Sequence, residues 1–177
     1  MNILAFGASN STQSINKTVA LYAANQVHNS QITLVDLADY DLPLYSIDRE
    51  NSHGIPEKAQ QLFTMIGRSD AVVISYAEHN GSYTAAYKNV FDWMSRIDQK
   101  VFQDKSMVLF ATSPGPGGAQ NVLASAVQSA PYFGGNVLAS LSIPSFFDNF
   151  SQGTPVSQKV RDDIQFTMAP LLDVSLA

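Results

Sequence analysis

Short apolar runs and amphipathic segments alternate five times along this chain, and that alternation restricts its fold more than any other feature. The runs Met1–Ala8, Gln31–Leu37, Ser69–Tyr76, Lys105–Ser113 and Asn136–Ile143 are strand candidates. Between and after them, Ile15–Val27, Glu57–Gly67, Tyr83–Ile97, Ala119–Phe133 and Thr154–Leu172 carry apolar residues at helical spacing. The third run is the clearest strand: Ala71 to Ile74 is continuously apolar, as a parallel strand covered on both faces would be. Parallel neighbours need crossover connections, which are right-handed, so the pattern predicts an α/β fold with helices on both faces of one parallel sheet. Five units suit a doubly wound five-stranded sheet in the flavodoxin-like order 2-1-3-4-5. One interval breaks the rhythm. Residues 38–56 read as a long polar connection with Asp39, Asp41, Pro43, Asp48, Asn51 and Gly54, a length that usually marks function or an interface.

The 177 residues fit one domain, spanning 1–177, with a sizeable core. A formal net charge of -5, with no run of Lys or Arg, gives no electrostatic footprint for nucleic acid or a membrane surface. Without cysteine there is no disulfide, thiol nucleophile or thiolate metal site, so redox chemistry has to come from a cofactor. No basic segment precedes an apolar run at the N-terminus and no stretch approaches a membrane span, so the expected location is cytoplasmic.

The first strand breaks at Gly7-Ala8 into small hydroxyl and amide side chains, Ser9 to Asn16, and feeds straight into a helix. Such a junction aims open backbone N–H groups and the positive helix end at one spot, which suits an anion. It carries neither the G-x-G-x-x-G of dinucleotide sites nor the G-x-x-x-x-G-K-[ST] of triphosphate sites, and no cation precedes Lys17. From this segment alone two readings stand level: a cradle for phosphate built from Ser9, Ser11, Ser14 and the amide of Asn16, or a helix merely capped by Ser14.

Ligands of open α/β sheets bind at the carboxyl ends of strands, beside the point where strand order reverses. For the predicted order that point lies between strands one and three, with strand four adjacent. The turns that follow these strands, Ser9–Asn16, Ala77–Ser82 and Ser113–Gly118, are also the richest in small and polar residues. In the third, Gly115, Gly117 and Gly118 let backbone approach a flat ring closely. The middle turn offers Glu78, His79 and Asn80 to the same ring. For His79, stacking or hydrogen bonding to a ring is preferred to acid/base work; only His28 and His53 could join it at a metal, without ligand spacing, so no metal site is expected. Glu78 reads equally as a base or a positioning group, and Trp93 as core or interface. Phosphate plus a flat polar heterocycle describes a mononucleotide.

These turns carry a resemblance to the NADPH-dependent FMN reductase family, whose fold is flavodoxin-like. Its opening turn resembles Ala8-Ser9-Asn10-Ser11 with Ser14-Ile15-Asn16. Its second motif resembles Ala77-Glu78-His79-Asn80-Gly81-Ser82 with Lys88-Asn89 and Asp92-Trp93, and its third Ser113-Pro114-Gly115 with Gly117-Gly118. Leu37 to Leu44, with Leu42-Pro43, is similar to the family's pattern after strand two. Ser11 stands where the family has arginine, and Ala77 and His79 where it has proline and tyrosine. The resemblance implies FMN, its phosphate at the first turn and its ring against the second and third, with NADPH or NADH as hydride donor. The flavin then carries the chemistry, so no catalytic side chain is expected. Acceptors in the family are free flavins, quinones, azo compounds or metal oxyanions, and its members assemble as homodimers or homotetramers around the flavin site.

Two other functions share this topology. A flavodoxin-type carrier would shuttle electrons without oxidising NAD(P)H itself, but the Lys88-Asn89 helix resembles the reductases and the net charge offers little acidic docking field. A phosphorylated receiver domain needs acidic residues where strand one ends in Phe6-Gly7. Phe146, Phe147 and Phe150 read either as an oligomer contact or as an active-site wall.

Overall fold

A computed structural model describes residues 1–174. Five parallel strands, β1 (Asn2–Ala8), β2 (Gln31–Val35), β3 (Ala71–Tyr76), β4 (Lys105–Thr112) and β5 (Gly135–Ile143), form one sheet in the order β2-β1-β3-β4-β5. This is the predicted doubly wound, flavodoxin-like order, with its reversal between β1 and β3.

Alternation along the strands divides the core in two. Leu4, Phe6, Val72, Ile74 and Leu109 face α3 (Glu57–Arg68), α4 (Ala85–Met94) and α5 (Gln120–Ser129), whose Leu62, Ile66, Trp93 and Val122 are buried against them. Ile3, Ala5, Val73, Val108 and Phe110 face α1 (Ile15–Ala24) and α7 (Gln158–Val174), meeting Val19, Ala23, Ile164 and Met168. Burying side chains of this size stabilises the fold by about 1.5–3 kcal/mol each.

The connections hold more structure than their polarity suggests. The stretch 37–56 holds a 3-10 turn, Leu37–Asp39, and α2 (Ile47–His53), capped by Ser46 accepting from the Arg49 N–H at 3.2 Å. No residue of α2 is buried, which is why it leaves no apolar periodicity to read. The polar turn after β3 is a hairpin: Glu78 and His79 pair with Tyr83 and Ser82 across Asn80-Gly81. Both tip residues have positive φ, 53° and 76°, the conformation a primed two-residue turn demands. The hairpin uses Tyr83, so α4 starts two residues later than its periodicity predicts, with Thr84 accepting from the Tyr87 N–H.

The predicted Ala119–Phe133 helix divides into α5 and a 3-10 turn, Ala130–Phe133, where Pro131 has no N–H to continue the ladder. The short α6 (Phe146–Asn149) follows β5, and Thr154–Pro155 then pair with Phe150–Ser151, delaying α7 to Gln158.

Candidate functional site

Three turns meet at the carboxyl edge of β1, β3 and β4, and polar cross-links fasten them. Gly7 allows the first. A Cβ there would lie 2.8 Å from the Asn16 carbonyl carbon and the Lys17 Cα, so only glycine lets α1 start directly against β1. That contact turns the Asn16 side chain, 2% exposed, into the protein. Its Oδ1 accepts from the Ser75 hydroxyl at 2.7 Å and the Thr112 N–H at 3.1 Å, and its Nδ2 donates to the Thr112 carbonyl at 3.2 Å. The Thr84 hydroxyl donates to the Ala8 carbonyl at 3.0 Å, tying hairpin to first turn.

The remaining groups of the first turn have a common polarity. Ser9 Oγ accepts from the Ser11 N–H, Ser11 Oγ from the Gln13 N–H and Ser14 Oγ from the Lys17 N–H, at 3.2, 3.3 and 3.1 Å. Each hydroxyl is thus oriented as an acceptor toward backbone and keeps its own proton to donate. The N–H groups of Ile15 and Asn16, in the first turn of α1, have no acceptor among the described residues. The nearby cation is occupied: Lys17 donates to Asp36 and pairs with it. The hydrogen bond from Lys17 holds the Asp36 carboxyl below its usual value; the Ala38 N–H assists and partial burial opposes. The turn therefore offers neutral donors at a positive helix end.

In the middle turn Glu78 is committed. Its carboxylate accepts from the Val122 N–H at 2.9 Å and the Asn121 amide at 3.3 Å. Helix α5 is preceded by Ala119 in a left-handed conformation with no side-chain cap of its own, so Glu78 caps it from the hairpin. Ala77 is half-buried, and His79 and Asn80 are exposed at the tip with Gly81.

In the third turn the Ser113 hydroxyl donates to the Gly115 carbonyl at 3.1 Å. The Ser113 and Gly115 carbonyls accept from the Phe146 and Ser145 N–H groups at 3.0 and 2.9 Å, which places α6 beside the turn. Gly118 has φ +60° and the Ser142 hydroxyl on its carbonyl. Gly115 and Gly117 differ: neither has positive φ, and a Cβ at either would meet nothing within 4 Å. Packing does not require glycine at these positions; with Pro114 exposed beside them, they leave bare backbone facing open space.

The structure thus brings Ser9, Ser11, Ser14, Ile15, the hairpin and residues 113–118 to one edge, while the side chain of Asn16 turns inward. Sequence reasoning missed a cleft of about 510 Å³ beside the first turn, between Asn10, Asp41, Leu42, Ala86 and Asn89. Its signal was the long connection after β2. Asn89 and Trp93 hold that connection: the Asn89 amide donates to the Leu42 carbonyl at 3.1 Å, its Oδ1 accepts from the Tyr45 N–H at 2.8 Å, and the buried Trp93 donates to the Pro43 carbonyl at 2.7 Å. Phe146 and Phe150 stack at 4.9 Å in the core, and Phe147 is exposed. Among the described residues no cluster of His, Asp or Glu could hold a metal ion, and no helix is long and apolar enough to cross a membrane.

Comparison with known proteins adds a family. The model for NADPH-dependent FMN reductases matches residues 1–148. A quinone reductase of Escherichia coli K12 is 31% identical over 124 residues, 64% of this chain and 66% of that protein, so the match spans just under two thirds of the relative. The fold is similar to that of a flavoenzyme NAD(P)H:(acceptor) oxidoreductase from Paracoccus denitrificans, with TM-score 0.81 at 23% identity, covering 97% of this chain and 95% of that one. An FMN-dependent NADH-azoreductase from Bacillus anthracis, solved with FMN, has TM-score 0.65 at 13% identity, over 97% of this chain and 100% of its own. At these identities the likeness is one of fold.

Proposed function

The chain belongs to the NADPH-dependent FMN reductase family, and from that premise we propose that it is an FMN-dependent oxidoreductase, passing hydride from NADH or NADPH to a small-molecule acceptor. Relatives named as quinone reductases favour a quinone, with free flavin, an azo compound or a metal oxyanion as the other acceptors of this class.

One observation carries the assignment: three serine hydroxyls with protons to donate and two open helix N–H groups converge on the first turn. This donor set fits the phosphate of FMN, a dianion that takes hydrogen bonds from neutral donors and is favoured at a helix N-terminus. Ser9, Ser11, Ser14 and the backbone of Ile15 and Asn16 would hold it. The bare backbone at Gly115 and Gly117 fits one side of a flat ring, with Ser113, Pro114 and Gly118 completing that turn. Ala77, Glu78, His79, Asn80 and Gly81 would border the other side, Glu78 by fixing the hairpin to α5. When bound, FMN supplies the capacity to accept a hydride and release it to a second substrate. The chain binds, orients and shields; no side chain is needed as proton catalyst. The reading includes a single domain, a homodimer or homotetramer, a cytoplasmic location and no nucleic-acid partner.

The test is oxidation of NADH and NADPH by the purified protein, with and without added FMN and a quinone. Flavin-dependent oxidation is the expected result. A protein that takes up no FMN and oxidises neither nucleotide would overturn the proposal.

A further inference from the structure

Between α4 and α5, behind the hairpin that follows β3, lies a cavity of about 190 Å³ walled by aromatic rings. Tyr76 and Tyr87 meet edge to face at 5.3 Å, Tyr83 lies 5.4 Å from Tyr87, and Phe91 meets Phe133 edge to face at 4.8 Å. Ala126 and Ser129 of α5 complete the wall, and the Lys88–Asp92 ion pair stands at the rim. A dry apolar cavity of about 150 Å³ is enough to hold benzene.

The polar atoms in this wall are not all matched. The Tyr76 and Tyr87 hydroxyls have only each other, at 3.4 Å. One hydrogen bond uses one of the two protons, so the second O–H, on a wholly buried ring, has no acceptor among the described residues. Burial raises the pKa of both phenols, which keeps both protons in place at neutral pH. A buried donor without an acceptor is unfavourable, and an oxygen brought in by a ligand would supply the missing partner. Tyr83 and Ser129, whose hydroxyls lie 3.2 Å apart, add a second polar point.

We propose that this cavity binds a small molecule with a single aromatic ring bearing an oxygen, of the phenol class, its ring among Tyr83, Phe91 and Phe133 and its oxygen at the Tyr76–Tyr87 hydroxyl pair. The cavity shares no residue with those proposed to hold FMN, so the inference stands or falls separately from that reading.

Phenol titrated calorimetrically into the full-length protein, with FMN present, should show one saturable site per chain. Toluene, which has the ring and no oxygen, should bind roughly tenfold more weakly. Ala126→Leu puts a larger side chain into the cavity and should abolish phenol binding without altering the FMN spectrum. Ser129→Leu, at a half-buried position on the rim, should do the same and serves if the first variant misfolds. Absence of saturable binding, equal affinity for toluene, or binding that both variants leave intact would overturn the proposal.

Discussion

Asn16 and Thr112, 96 positions apart, hold each other by two hydrogen bonds: Oδ1 of Asn16 accepts from the Thr112 N–H at 3.1 Å and Nδ2 donates to the Thr112 carbonyl at 3.2 Å. This pairing fixes the start of α1 against the end of β4, and Ser75 joins it from β3. The proposed phosphate and ring sites thereby share one rigid floor.

Asn16→Ala would leave the Ser75 hydroxyl and both backbone groups of Thr112 without their partner in a buried setting. An unfolding free energy lower by about 2–4 kcal/mol is expected, read by urea titration. Ser14→Ala removes only a cap, so it should cost about 1 kcal/mol of stability while weakening FMN binding. The two variants separate floor from cradle.

Gly7→Ala should be more damaging than a methyl group suggests. The atoms it would strike are the backbone of Asn16 and Lys17, which cannot swing aside. A loss of about 1–3 kcal/mol, with displacement of the α1 start and loss of FMN affinity, is the expected outcome by denaturation and flavin titration.

The five strands and their order were legible because each run has the length and continuity of a buried parallel strand. The three turns were legible because small polar residues follow β1, β3 and β4 in turn. The direction of the Asn16 side chain was not: an amide in a polar turn looks like a ligand donor, and only the close approach at Gly7 turns it inward. Glu78 was likewise ambiguous, since its partner Val122 lies 44 residues further on. The aromatic cavity collects residues from β3, the hairpin, two helices and two later turns, a grouping without local periodicity.

Glu78→Ala should unfasten the hairpin from α5. The expected loss is about 1–2 kcal/mol of stability from the missing cap, with a changed flavin environment visible in the absorption spectrum. Glu78→Gln retains an acceptor and should restore much of the stability.

Asp36 has a folded pKa below its unfolded value of 3.8, owing first to the hydrogen bond from Lys17. Its contribution to stability is therefore complete above that value and is lost as pH falls through the lower folded one. With the side chains of Lys17 and Asp36 24% and 33% exposed, screening keeps the effect to about 1 kcal/mol or less. Asp36→Asn should remove this share, so wild type and variant should converge in stability once the pH falls below the lowered folded value, as thermal melts across pH would record.

The most direct measurement compares FMN with riboflavin, which has the ring and lacks the phosphate, by fluorescence titration of the flavin-free protein. A cradle of three serine hydroxyls and an open helix N-terminus predicts FMN binding at least about 100-fold tighter, with most of the difference lost in Ser14→Ala combined with Ser9→Ala. Equal affinity for the two flavins would contradict a phosphate site at the first turn.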